Sequence, residues 1–252
     1  MSPAATVIRS DVTAVAGWAV DTLLADLRAA LDDHGAATWV ATGGSTPLRA
    51  YELLAERPDD GIAWDRVTVA MGDERCVPLD DPDSNWGQMR DRLAGSPSWE
   101  RARLLVPPME LDPDAAAERY AATLGELAPA SADVPRLEHL WLGMGEDGHT
   151  LSLFPGQPQT AERAQLVVAV RDAPKPPPTR ISLTLRALQR VDHCVVLVTG
   201  AAKSNALRRA LADDEQLPIA RAIATVRRAG GRVTWVLDEA AADGAGVRAA
   251  GP

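Results

Sequence analysis

Short runs of consecutive apolar residues alternate along the chain with longer stretches in which apolar positions recur every three or four residues. A continuous apolar run suits a strand covered on both faces, whereas three-four spacing gives a helix one apolar stripe. The pattern predicts strands over residues 38–40, 66–70, 137–142, 166–170, 193–198 and 233–237, and helices over 15–32, 47–55, 85–93, 114–127 and 201–211. This alternation is that of an α/β fold: an open, mostly parallel sheet with helices on both faces. There is no internal repeat and no linker-like tract, and only residues 174–178 approach low complexity, so residues 1–252 read as one domain.

In such a sheet, ligands bind beyond the carboxyl ends of the strands, and the chemically unusual residues fall there. Thr42-Gly43-Gly44-Ser45-Thr46, Gly72-Asp73-Glu74-Arg75, Gly143-Met144-Gly145-Glu146-Asp147-Gly148-His149-Thr150 and Thr199-Gly200-Ala201-Ala202-Lys203 each follow a predicted strand. Four separate loops therefore converge on one rim. The histidine loop stands out, because its three glycines permit tight turns and close backbone approach while its imidazole can transfer a proton near neutrality. The same segment also fits an ordinary strand-to-helix turn carrying a surface histidine.

Gly43-Gly44-Ser45-Thr46-Pro47 opens a predicted helix, with Ser45 or Thr46 as its cap and Pro47 in the first helical position. Free N–H groups at such a start, with the helix dipole, attract an anion such as phosphate; a well-capped helix without a ligand is the competing account. The segment is neither a Walker A loop nor the three-glycine dinucleotide fingerprint, so nucleotide binding is not indicated. Lys203 falls in the first turn of a helix, where the dipole disfavours a cation unless an anion is near; a solvated lysine is the alternative. Arg180, after the stiff Pro176-Pro177-Pro178, reads locally as a surface residue, and Arg75 as a member of a surface ion pair.

Composition narrows the picture. The hydrophobic fraction of 46% and charged fraction of 24% are those of a globular protein, with disorder expected only at the small-residue-rich ends. A net charge of -9 argues against nucleic acid as a partner and makes local cations conspicuous. Two cysteines, Cys76 and Cys194, are too few for a disulfide framework, and Met1 to Ser10 lacks the pattern of a secretory signal. No apolar stretch approaches the roughly 20 residues of a membrane span, so the cytoplasm is the expected compartment. His34, His139, His149 and His193 show no ligand pairing at helical or strand spacing, so no metal is expected; His34 and His139 read as ends of elements and His193 as a strand start. Trp141 and Trp235 read as packing residues, Trp86 as a possible border of the pocket, and Asp80-Asp81-Pro82-Asp83 as a turn and helix cap.

Taken in order, five segments resemble the 6-phosphogluconolactonase family, within the glucosamine-6-phosphate isomerase/deaminase-like superfamily. They are Gly43-Gly44-Ser45-Thr46-Pro47; Gly72-Asp73-Glu74-Arg75-Cys76-Val77-Pro78 with Asp83-Ser84-Asn85; Leu142 to Thr150 with Leu153-Phe154-Pro155; Arg180-Ile181-Ser182-Leu183-Thr184; and Gly200-Ala201-Ala202-Lys203. The resemblance implies one Rossmann-like catalytic domain that hydrolyses 6-phospho-D-glucono-1,5-lactone to 6-phosphogluconate in the oxidative pentose phosphate pathway, without metal or cofactor. It implies that His149 activates water and that Asp147 and Asp73 orient or polarise the site. Arg75, Arg180 and Lys203 would hold the phosphate and polar groups of the sugar lactone, with Gly43, Gly44 and Ser45 supplying the loop. The expected partner is that small phosphorylated lactone, and the expected assembly a monomer or small homo-oligomer.

Two other classes share parts of this pattern. An aminosugar-phosphate isomerase/deaminase would carry an acid five positions after the histidine, where this chain has Phe154, and an aromatic residue where it has Arg75. A non-catalytic sugar-phosphate sensor would carry a DNA-binding segment, for which the acidic chain, with its first long helix near Val15, leaves no room.

Overall fold

The computed structural model describes residues 4–57 and 61–248. Among the described residues, ten strands form two sheets: β1 (Ala5–Arg9), β2 (Ala37–Ala41), β3 (Val67–Met71), β4 (Asp73–Arg75), β5 (Arg103–Leu104), β6 (Leu137–Gly143), β7 (Val167–Val170), β8 (Arg180–Leu183), β9 (Val191–Val198) and β10 (Arg232–Asp238). Eight α-helices accompany them in the described residues: α1 (Val12–His34), α2 (Ser45–Ala55), α3 (Asn85–Leu93), α4 (Pro97–Arg101), α5 (Pro113–Gly125), α6 (Ser204–Leu211), α7 (Pro218–Arg228) and α8 (Glu239–Ala245). The large sheet has the order β1-β10-β9-β6-β2-β3-β5 with every pair parallel. This is the expected α/β architecture, and the ends expected to be disordered, residues 1–3 and 249–252, lie outside the described residues.

Because side chains alternate across a strand, each apolar run feeds two cores. Trp39, Ala41, Trp141, Val195, Leu197 and Val236 face α1, α2 and α3. Val40, Leu140, Leu142, Val196, Val198, Trp235 and Leu237 face the side covered by α5 to α8. Trp39, Tyr51 and Trp141 pack as an aromatic cluster with centroids 4.9–6.0 Å apart. The Tyr51 hydroxyl donates to the Thr42 carbonyl at 2.7 Å, so this core anchors the start of the glycine loop.

The predicted strand at 166–170 is real but misplaced: β7 belongs to a separate antiparallel sheet, β4-β8-β7. An apolar run does not encode its partner, and β7 packs against α5 instead of the parallel sheet. The helix expected over 201–211 begins with a 3-10 turn at Ala201–Lys203 and continues as α6. The strands β1, β4, β5 and β8 and the helices α4, α7 and α8 went unseen in the sequence, several being too short or too polar for a periodic signal.

Two buried polar knots fix opposite edges of the large sheet. At the carboxyl edge, the wholly buried Glu74 accepts the N–H groups of Arg75 (2.6 Å), Asn85 (2.8 Å) and Trp86 (2.6 Å) and the Ser84 hydroxyl (3.1 Å). Burial pushes its carboxyl up, against the pull of those three N–H groups. Glu74 thus ties β4 to the start of α3. The Asp81 carboxylate closes the preceding turn on Asp83 N–H, and Ser84 caps α3. Trp86 lies buried against Trp99 and does not border the cleft described below.

At the amino edge, Asp26 of α1 accepts from His139 Nδ1 (2.7 Å) and His193 Nδ1 (2.6 Å), while Arg232 reaches its other oxygen at 2.8 Å. His139 is therefore no element end: it sits inside β6, fully buried, paired in register with His193. His34 does end α1, and His193 lies two residues into β9. The three side chains converge closely enough to suggest an ion site. Their 2.6–2.7 Å oxygen-to-nitrogen separations are instead hydrogen-bond lengths, shorter than the roughly 3.3 Å between two ligands of one tetrahedral zinc. Burial holds the His139 imidazole below its usual range despite Asp26; for Asp26, burial is outweighed by the two histidines, which hold its carboxyl down.

Both knots yield expectations for stability. Unfolded His139 takes up a proton near about pH 6.5 that the buried ring refuses, so acidification below that value favours the unfolded chain. The melting temperature therefore falls between pH 7.5 and 5.5, and it falls less in His139→Asn, as thermal melts at the two pH values will show. Replacing Glu74 by Gln sets an NH2 group against N–H donors and lowers unfolding free energy by about 2–3 kcal/mol, measured by urea titration.

Candidate active site

An open cleft of about 300 Å³ lies beyond the carboxyl ends of β2, β3, β6 and β9. Its walls come from all four predicted loops, through Gly43, Gly44, Asp73, Arg75, Gly143 to Glu146, His149 and Lys203, joined by Arg180 at the start of β8. The convergence expected from the chain is therefore present. Asp147 stands behind His149, and Ser45 is exposed and outside the lining.

The histidine loop is built by its glycines. Gly148 has φ +80°, a left-handed conformation that costs glycine little, and its N–H closes a turn on the Gly145 carbonyl at 3.0 Å. Gly145 N–H donates to the His149 carbonyl at 2.9 Å. A Cβ on Gly145 would stand 2.1 Å from two atoms of the His149 ring, so the imidazole occupies space that only glycine vacates. His149 Nδ1 meets Asp147 Oδ1 at 2.5 Å, and the His149 N–H also donates to that oxygen at 3.2 Å. Burial opposes ionisation of Asp147, but the His149 hydrogen bond and charge prevail and hold its carboxyl at about 2. An ionised Asp147 accepts the Nδ1 proton, which leaves Nε2 as the basic nitrogen.

Asp73 and Arg75 alternate with Glu74 along β4, so both face the cleft while Glu74 turns inward. Asp73 is buried, and its Oδ2 accepts from the Ser152 hydroxyl at 2.7 Å. Arg75 is not an ion-pair partner of its acidic neighbours: its Nη1 donates to the Asp83 carbonyl at 2.6 Å. Arg180 is likewise no surface residue, being 4% exposed. Its guanidinium donates to the carbonyls of Lys175 (2.9 Å), Pro176 (3.4 Å) and Pro177 (3.0 Å) and to Ser152 Oγ (3.3 Å). Burial lowers its pKa, and the contacts hold the 175–177 segment over the cleft.

The glycine loop differs from its expected capping. Gly44, at φ +112°, is the residue before the first turn of α2, with no side-chain cap; Ser45, Thr46 and Pro47 are its first three residues. Thr46 Oγ1 is instead 2.8 Å from Thr199 Oγ1, joining the loops after β2 and β9. Lys203 precedes α6 and lines the cleft, where burial, reinforced by nearby Lys175, pulls its ammonium below the usual lysine range.

Reading of the chain alone missed Lys175, Glu146 and Asn85 as lining residues. Lys175 had one visible signal: it is the only charge in the proline run. Asn85 donates from Nδ2 to the Asp73 carbonyl at 2.9 Å and packs where a Cβ on Gly43 would stand. Four cations, Arg75, Lys175, Arg180 and Lys203, thus face two acids, Asp73 and Glu146, in a chain of net charge -9. The arrangement suits an anionic ligand placed beside a base.

Comparison with known proteins agrees. Residues 10–235 match the family model described as glucosamine-6-phosphate isomerases/6-phosphogluconolactonase. The chain is 37% identical over 249 residues to the 6-phosphogluconolactonase of Streptomyces coelicolor, covering 94% of this chain and 92% of that one. It is 37% identical over 203 residues to the human 6-phosphogluconolactonase, covering 80% and 78%. The crystal structure of 6-phosphogluconolactonase from Leishmania guyanensis superposes with a TM-score of 0.83 at 27% identity, covering 99% and 100%. With the family model matched over most of its length and its fold in common with that structure, the chain belongs to the glucosamine-6-phosphate isomerase/6-phosphogluconolactonase family.

Proposed function

We propose that this protein hydrolyses 6-phospho-D-glucono-1,5-lactone to 6-phosphogluconate, the lactone step of the oxidative pentose phosphate pathway, with residues 1–252 acting as one catalytic domain. The observation that carries this reading is the Asp147–His149 pair, whose imidazole lines a cleft together with four cations.

In the reaction, a water oxygen bonds to the lactone carbonyl carbon while His149 Nε2 takes its proton. Such general-base assistance contributes roughly 10²–10⁴-fold. The carbonyl electron pair moves onto oxygen, then returns as the bond from that carbon to the ring oxygen breaks. The imidazolium passes its proton to the departing ring oxygen, which becomes a hydroxyl, and the new carboxylic acid ionises. Asp147 holds the ring orientation and balances the imidazolium charge. Asp73, fixed by Ser152, orients the sugar. Arg75, Arg180 and Lys203, with the backbone of Gly43 and Gly44, hold the phosphate and polar groups. Lys175 adds a cation from the proline segment. Ser45 contributes through its N–H at the first turn of α2, its side chain lying outside the cleft lining.

Binding a distant phosphate fixes the carbonyl beside the base, and that remote binding energy is spent on orientation. Phe154 supports the lactonase reading over the aminosugar deaminase reading, because a phenyl ring offers no proton for sugar ring opening.

Lactone decay followed rapidly with and without protein is the primary test, since the substrate also opens unaided. Replacing His149 by Ala lowers kcat by roughly 10²–10⁴-fold while product affinity is retained; hydrolysis unchanged from wild type removes His149 from the mechanism. Robust ammonia release from glucosamine 6-phosphate would instead establish the deaminase. Lys203→Ala raises KM for the phosphorylated lactone roughly 10–100-fold and spares the unphosphorylated analogue; equal losses for both contradict a phosphate contact.

A further inference from the structure

We propose that Phe154 is a positioning residue that sets the direction of the His149 imidazole and couples it to the buried guanidinium of Arg180. The inference rests on His149 being the base, and concerns what keeps that base aimed.

Two planar groups adjoin the Phe154 ring. The Phe154 ring centroid is 4.6 Å from that of His149, with the planes inclined by 36°. On Phe154, Arg180 Cζ lies 5.6 Å from the same ring centroid. The Phe154 ring is 1% exposed and packs with Val168, Val170 and Ala173, a small apolar cluster distinct from the two main cores. Its position is therefore set from several sides.

The Asp147 hydrogen bond restrains only one edge of the imidazole. A ring held at one atom still swings about that contact, carrying Nε2 away from the attacking water. Phe154 lies against the ring and removes that swing. Offset or inclined packing of aromatic rings at this separation is favourable, as is a cation placed near a phenyl ring. A phenyl group also makes no hydrogen bond of its own, so Nε2 stays available to water. Because Arg180 is pinned by the carbonyls of Lys175 and Pro177, the same ring links the base to the segment that presents Lys175.

The test compares Phe154→Leu, Phe154→Met and Phe154→Tyr in the full-length protein, with His149→Ala in parallel. The readouts are kcat, KM, 6-phosphogluconate affinity by calorimetry and the NMR shifts of the His149 ring protons. Loss of the aromatic ring lowers kcat roughly 10–100-fold, with KM and product affinity changed by no more than about threefold. The His149 resonances lose the ring-current shift in the two aliphatic variants and keep it in Phe154→Tyr, which also retains more of kcat. Should the leucine variant not fold, the methionine variant is judged by the same criteria. Wild-type kcat in a folded aliphatic variant, or a tyrosine variant no better than it, overturns the proposal. If His149→Ala is inactive while that result holds, only the role of Phe154 fails; if His149→Ala retains full kcat, the reading of the base fails as well.

Discussion

The parallel pairing of β6 with β2 on one side and β9 on the other is the constraint on which the site depends. With Trp39 opposite His139, and Trp141 and Gly143 opposite Val195 and Leu197, the three strands run in step in one direction. Their following loops are delivered to the same edge. A slip by one residue would exchange the residues facing the two cores, moving Trp39 and Trp141 away from Tyr51 and the α1 side. Register is thus enforced by packing far from the chemistry, and the chemistry inherits its alignment.

On that edge, short-range hydrogen bonds do the fine placement. The Glu74 knot gathers β4 and α3, and Asn85 extends it to the Asp73 carbonyl and the wall of Gly43. Arg180 gathers the proline segment and Ser152, which in turn holds Asp73. Neither group is spent on solvent. Burying such charges is expensive unless they are fully hydrogen-bonded, and each has several partners. The outcome is a cleft in which Arg180 is buried, so that its attraction for an anion is less screened than at the open surface.

The two histidine clusters differ in where they lie. Asp26 closes on His139, His193 and Arg232 beneath α1, so that knot fastens the helix to the amino edge of the sheet. The Asp147–His149 pair uses the same type of hydrogen bond in the wall of the cleft. An identical pairing of residue types thus fastens a helix to the sheet in one place and stands at the cleft wall in the other.

Much of this was legible in the chain itself. Apolar runs and helical spacing are local codes, as are glycines that permit a left-handed turn, so the sheet class and the four loops could be read directly, while Asp73, His149 and Lys203 were singled out through the family resemblance. What required the tertiary structure were contacts between residues distant in the chain. These are the separate sheet holding β7, the inward turn of Glu74, the burial of Arg180, the replacement of Ser45 by Gly44 at the start of α2, and the entry of Lys175 into the cleft. The sequence determined which chemical groups are carried and how the backbone turns around them. Only the folded chain decided which of them lose water and which meet, because desolvation and hydrogen bonding depend on neighbours that local spacing does not specify.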